Sequence, residues 1–189
     1  MSESMKAGDP VWIVAYDVTW PQFFQQLAQP IRKALGTVAL RIDHIGSTSV
    51  PQLAAKPIID IQISVADFEL LDALRHPLEQ LGYIFRANHP DRTQRYFRET
   101  PGQRRVHIHV RRAGSFGEQF ALLFRDYLRT HPDVAAQYTE LKIGLAQRYQ
   151  RVEERPLYTE AKAPFIWKVM AQADDWAQLT GWFPGPSDI

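Results

Sequence analysis

The sequence predicts an α+β fold, a mixed β-sheet with helices packed on it and a C-terminal helical segment. Three observations carry this. Residues 57–65 alternate strictly, with Ile59, Ile61 and Ile63 on one face and Asp60, Gln62 and Ser64 on the other, which is the period of a β-strand. Residues 23–35 and 68–81 instead carry apolar side chains at helical spacing. Beyond Gly114 every apolar stripe is helical. With 189 residues there is room for one compact domain. It is read as residues 10–173, an α/β core over 10–112 and a helical part over 115–173, with tails at 1–9 and 174–189.

Taken in order, Val11 to Tyr16 is a short apolar run that reads as a strand. Trp20-Pro21 opens a helix through Phe23, Phe24, Leu27, Ile31 and Leu35, closed by Gly36, and Pro30 inside it predicts a kink or break. Thr37 to Ile45 reads as the next strand, followed at once by Gly46-Ser47-Thr48-Ser49, small residues suited to a tight turn with exposed amides. After the 57–65 strand, Asp67 is placed to cap a helix through Phe68, Leu71, Leu74, Leu78 and Leu81, ending at Gly82. Tyr83 to Arg86, Gln94 to Thr100 and Arg104 to Arg111 read as strands, the last two joined at Pro101-Gly102. Three helices follow, from Phe116, from His131-Pro132, and from Pro156 through Val169. The tail from Asp174, with Trp176 and Trp182, docks on the body or on a partner; the sequence leaves the two open.

Composition narrows the function classes. Apolar residues at 45% and aromatics at 12% suffice for a true core. The absence of cysteine excludes a disulfide framework, a thiolate zinc site and a cysteine nucleophile. Residues 1–9 are polar, unlike a signal peptide, and no stretch approaches the roughly 20 apolar residues that span a bilayer, so a cytoplasmic protein without membrane contact is expected. A net charge of +1 gives no bulk attraction to nucleic acid, and no nucleic-acid-binding motif is present. Eight arginines nevertheless crowd residues 86–112, against only Asp91 and Glu99. They suit a phosphate-rich ligand or a solvated hairpin face equally well.

Several side chains form a candidate site. The Gly46-Ser47 turn presents successive N–H groups and hydroxyls, including those of Thr48 and Ser49, to an anion. Asp60 points away from the isoleucine face and can hold a hard divalent cation, magnesium or manganese, together with substrate phosphates. His107 and His109 alternate with Val106, Ile108 and Val110, so both imidazoles share one face and complete a metal set with Asp60 if their strands are neighbours. Lys56, Arg125, Lys142 and Lys162 offer positive charge to the same ligand. Tyr138 precedes Lys142 by four residues and Tyr158 precedes Lys162 by four, so each pair shares a helix face. The alternative is that these lysines lie exposed along the tyrosine rings.

Gly46-Ser47, twelve intervening residues and then Asp60-Ile61-Gln62 resemble the signature of the nucleotidyltransferase superfamily. More closely, His44-Ile45-Gly46-Ser47-Thr48-Ser49-Val50-Pro51, Ala55-Lys56-Pro57-Ile58-Ile59-Asp60-Ile61, Phe124-Arg125-Asp126-Tyr127-Leu128 and the run from Tyr158 to Ile166 resemble the GrpB family, in order, over about Val11 to Ala171. The resemblance implies a nucleotidyltransferase-like sheet and a relative of a module fused to some dephospho-coenzyme A kinases. It also implies a chemistry in which two carboxylates hold magnesium on a nucleoside triphosphate and a third aids attack. This chain has Asp60 at the first acidic place but Gln62 at the second, and His107 or His109 at the third.

Three functions follow. One is metal-assisted transfer of a nucleotidyl or phosphoryl group to a small acceptor, with Ser47 and Asp60 catalytic. Gly46, Ser47, Thr48, Ser49, Lys56, Gln62, Arg125, Lys142 and Lys162 would then bind the ligand, and Asp60, His107 and His109 the metal. A second is a nucleotide- or anion-binding module that lost its chemistry with the second carboxylate. A third is a metallohydrolase using His44, His107 and His109. The partner in the first two is a nucleotide or other phosphorylated small molecule.

Overall fold

The computed structural model describes residues 10–69 and 71–189. Its centre is a five-stranded sheet of β1 (Arg41–Ile45), β2 (Ile59–Val65), β3 (Tyr83–Phe85), β4 (Arg95–Glu99) and β5 (Val106–Arg112), ordered β1-β2-β5-β4-β3. β2 and β5 are parallel; the other neighbours are antiparallel. The sheet is therefore mixed, and the expected α+β architecture holds.

The alternation read in residues 57–65 divides the sheet into two unlike faces. Ile59, Ile61 and Ile63, with Phe97, Ile108 and Val110, bury one face beneath α1 (Trp20–Leu35) and α2 (Leu71–Gln80). The other face carries Asp43, Asp60, Gln62, His107 and His109, because residues paired across strands point the same way. α3 (Phe116–Thr130) covers part of this polar face, where Gln62 Nε2 donates to the Glu118 carbonyl at 3.3 Å. α3 starts sharply because the Ser115 hydroxyl accepts from the Glu118 amide. With α4 (Pro132–Arg148), α5 (Arg155–Ala161) and α6 (Ala163–Thr180), it builds a second core around Leu123, Tyr127, Tyr138, Val169 and Ala173. A cleft lies between the Asp60 end of the sheet and the helices α4 and α5, and no α3 residue lines it.

Four local expectations are corrected. Residues 11–16 form no strand but a single bridge, Val14 to Ala55, as too few backbone groups find partners there. The strand expected from Thr37 begins only at Arg41, because residues 36–38 turn as a short 3-10 helix after Gly36. Pro30 does not break α1: it lies on the exposed side, while Phe24, Ala28, Ile31 and Leu35 are buried on the other and hold the helix together. The helix expected from Pro156 divides into α5 and α6 near Lys162, since Pro164 in the first turn of α6 has no N–H to continue the ladder. Asp67 caps a local turn, accepting from the Glu69 amide at 2.9 Å.

The chain's end docks on the body. Ser187 Oγ accepts from the Ile42 amide at 2.9 Å and donates to its carbonyl at 3.0 Å, and Asp188 accepts from the His44 amide at 2.9 Å. These bonds satisfy the open edge of β1. No helix among the described residues is long and apolar enough to cross a membrane.

Ile61, fully buried in the interior strand β2, should cost about 2–5 kcal/mol when changed to Ala. Leu157→Ala, at 48% exposure, should stay within about 0.5 kcal/mol. Urea denaturation of both variants measures the contrast.

Candidate functional site

Asp60 is the meeting point of three strands. β1 runs antiparallel to it, so Ile45 lies opposite Asp60 and the corner that follows, Gly46-Ser47, wraps over its carboxylate. Gly46 has φ +70°, and a Cβ placed there would lie 2.5 Å from Asp60 Oδ2. Only glycine fits both demands. On the other side the parallel register sets Asp60 opposite His107 and Gln62 opposite His109. His107 Nδ1 is 3.1 Å and His109 Nε2 3.5 Å from Asp60 Oδ1. One ligand atom from each of the three lies within 4.8 Å of the others, so oxygen and two nitrogens are available to a divalent ion.

The opposite wall is cationic. A cavity of about 380 Å³ is lined by the corner, by Asp60, His107 and His109, and by Lys56, Tyr138, Lys142, Tyr158 and Lys162. Lys142 Nζ donates to Ser47 Oγ at 3.1 Å and to the Ala54 carbonyl, and lies 4.5 Å from the Tyr138 ring centre. Lys56 and Lys162 both lie near the Tyr158 ring, at 5.1 and 4.9 Å. The four-residue spacings thus do bring each tyrosine and lysine together, with the ammonium groups turned into the cleft. None of the three lysines has a carboxylate within ion-pair distance among the described residues.

This imbalance shows in the acidities. Burial, then repulsion from Lys162 and Lys56, lowers Lys142 to about 7. Burial and Lys162 lower Lys56 to about 8. Burial also lowers Lys162. Burial acts on Asp60 the other way, but its two histidine neighbours, His107 first and then His109, outweigh it and hold the carboxyl well below its usual range. Burial keeps His107 itself below the ordinary imidazole value. Around neutral pH the site therefore holds one carboxylate facing lysines of which Lys142 and Lys56 titrate near that range.

Not every expected residue reaches this cleft. Thr48 lines it, but its hydroxyl is engaged, donating to the Ile58 carbonyl at 3.1 Å and lying 3.0 Å from His44 Nε2. Ser49 turns inward to donate to the Gly46 carbonyl at 2.6 Å and braces the corner. Gln62 is fully buried under α3. Arg125 is also buried, beside Asp43, Asp126 and Asp188 and donating to the His44 carbonyl; its charge is met and it faces away from the ligand wall. The three-histidine site does not form. His44 pairs with Ile61, so it points to the opposite face of the sheet and stacks on Phe24 at 4.8 Å. Of the crowded arginines, Arg98 and Arg105 pair with Glu99, Arg111 with Asp91, and Arg95 and Arg104 cover Phe68 and Phe23.

Known proteins share the sequence pattern and the fold. The family model described as "GrpB protein" matches residues 10–172. The chain belongs to the GrpB family. A UPF0157 protein of Pseudomonas aeruginosa is 41% identical over 170 residues, covering 87% of this chain and 68% of that protein. A dephospho-CoA kinase of Mycolicibacterium paratuberculosis is 33% identical over 210 residues, covering 97% of this chain but only 51% of the kinase, so the chain spans about half the length of that relative. The crystal structure of GrpB from Enterococcus faecalis superposes with a TM-score of 0.71 at 32% identity, over 84% of this chain and 99% of that one. The Cid1 poly(U) polymerase bound to MgATP gives 0.50 at 11% identity, over 71% of this chain and 43% of Cid1, and shows a shared nucleotidyltransferase-like fold.

One residue of this GrpB chain, Gln94, belongs to the site without having been singled out. It is buried with its side chain against His109, while Arg105, one of the eight crowded arginines, reaches His107. The signal was present: in a strand from Gln94 to Thr100, alternate residues Gln94, Tyr96 and Arg98 fall on one face. The pairing of Tyr96 with His109 makes it the histidine face.

Two outcomes follow. Gly46→Ala forces a side chain into the left-handed region and into Asp60, so denaturation should reveal a loss of about 1–3 kcal/mol. Lys56 and Lys142 release protons at about 8 and 7 in the folded chain but near 10.5 when unfolded. Unfolding takes up protons across that window, so stability should rise as pH increases from about 7 to about 10. Lys142→Met should flatten that rise in denaturation curves recorded at several pH values.

Proposed function

We propose that this chain binds a nucleotide or other phosphorylated small molecule in the cleft, its phosphates meeting Lys56, Lys142, Lys162 and the Gly46-Ser47 corner, with a divalent cation at Asp60. The observation that carries this reading is the cluster of buried Lys142 with half-buried Lys56 and Lys162, none of which has a carboxylate partner among the described residues. Buried charge is costly unless it is compensated, and a polyanionic ligand is the compensation this wall fits. The donor set at Asp60, one carboxylate beside imidazole nitrogen, suits a divalent ion that shares its remaining positions with phosphate oxygens. Such an ion supplies neutralisation of charge on a transferring phosphoryl or nucleotidyl group. The chain's own residues bind and orient that group: the lysines hold the outer oxygens, and Ser47 and the corner fix the phosphate against Asp60. Similarity to a protein named dephospho-CoA kinase and to MgATP-bound Cid1 favours a nucleotide-like ligand.

Burial of Gln62 away from the cleft favours a second reading, binding without turnover, because Asp60 is then the single carboxylate among the cavity's lining residues. Calorimetry with ATP and with inorganic triphosphate, each with magnesium or manganese at pH 6.5, tests the binding. Lys142→Met should weaken affinity about 10- to 100-fold, the equivalent of losing a charged hydrogen bond. Wild-type affinity should fall as pH rises through 7 to 8, when Lys142 and Lys56 lose their protons. No binding of either anion would end the proposal. Binding that survives Asp60→Asn nearly intact, without turnover in the wild type, selects the second reading; transfer activity that collapses in Asp60→Asn selects the first.

A further inference from the structure

As neutral rings, the two histidines beside Asp60 turn unlike nitrogens to it, one protonated and one not, and their neighbours decide which. Gln94 Nε2 donates to Asp91 Oδ2 at 2.9 Å, and the same oxygen accepts from Arg111 Nη2 at 3.1 Å. A carboxylate only accepts, so the Gln94 amide has one orientation, with Oε1 turned to His109 Nδ1 at 2.8 Å. An amide oxygen also only accepts. His109 Nδ1 therefore carries the proton, and the neutral ring has its lone pair on Nε2, the atom facing Asp60 Oδ1. His107 is held the other way. Its Nε2 lies 3.3 Å from Arg105 Nη2, which can only donate, so the His107 proton sits on Nδ1 and is given to Asp60 at 3.1 Å.

At His109, two electron-rich atoms thus face each other across 3.5 Å. That separation is longer than the roughly 2.7–2.9 Å of a charged imidazolium–carboxylate hydrogen bond. A cation bridging the two atoms would remove the repulsion. A histidine whose far nitrogen donates to an oxygen is the usual state of a metal ligand.

We infer that Asp60 and His109 form the cation site, that Gln94 is a positioning residue which fixes His109 for it, and that His107 is a hydrogen-bond donor to Asp60 rather than a ligand. The imidazole nitrogen selects manganese, cobalt or zinc over magnesium. The chain Arg111–Asp91–Gln94–His109 carries this order from the far end of β5 and the loop before β4 to the cleft. The inference rests on the divalent cation assumed in the functional reading, and assigns its ligands.

The test uses the full chain without nucleotide, titrated with cobalt(II) by visible absorption and with manganese(II) and magnesium(II) by calorimetry. His109→Ala should abolish cobalt binding, and His107→Gln, which keeps a donor, should change affinity only a few-fold. Gln94→Ala should weaken it by about 10- to 100-fold. In Gln94→Ala the His109 proton should no longer be confined to Nδ1 in nitrogen-15 correlation spectra; a merely structural Gln94 would leave it there. Nitrogen-15 correlation spectra of the metal-free chain should find the His109 proton on Nδ1, a readout independent of any variant's folding. Equal losses at His107 and His109, a His109 proton on Nε2, or no cobalt binding by the wild type would each overturn the inference. Metal-free binding of inorganic triphosphate with no cobalt binding would sink this inference and leave the phosphate reading standing. Cobalt binding in the stated rank without any phosphate binding would do the reverse.

Discussion

Everything at the cleft depends on the double pairing of β2 at Asp60. Antiparallel β1 delivers the Gly46-Ser47 corner to one side of the carboxylate, and parallel β5 delivers His107 and His109 to the other. Because side chains alternate along a strand, a slip of one residue in either register would turn these groups to the isoleucine face. The apolar face prevents that slip. Ile59, Ile61 and Ile63 are buried with Ile108 and Val110 beneath α1 and α2, so the interactions that stabilise the domain also hold the polar groups in place.

The helical part contributes charge rather than geometry. α4, and α5 with the residue after it, bring Lys142 and Lys162 across from Asp60, each beside a tyrosine that fills the wall behind it. The surplus of positive charge around buried Lys142 is unfavourable to the protein alone, as the lowered pKa of each lysine shows. A bound anion, as proposed above, would offset it. Arg125 marks the contrast. It is buried equally well, but three carboxylates and a carbonyl answer it, and it joins α3, β1 and the chain's end as a structural clamp.

The relationship to nucleotidyltransferase-fold proteins is one of framework. Gln62 stands where the resemblance leads one to expect a second acidic ligand, and the structure turns it to α3 instead. What remains beside Asp60 is imidazole, ordered by Gln94 and Arg105, a donor set unlike paired carboxylates.

From the sequence alone, the two-residue alternation over 57–65 and 106–112 determined which side chains share a face, and helical spacing determined that Tyr138 lies beside Lys142. The small residues at 46–49 marked the corner. These are local periodicities, and backbone geometry enforces them wherever the segments end up. Tertiary structure alone decided the rest: that β5 lies beside β2 with Asp60 opposite His107, that His44 faces the other way, that Arg125 meets carboxylates from three separate segments, and that Gln94 touches His109. Those outcomes depend on which strands pair and on how charges distant in the chain are satisfied, and no spacing along a single segment carries that information.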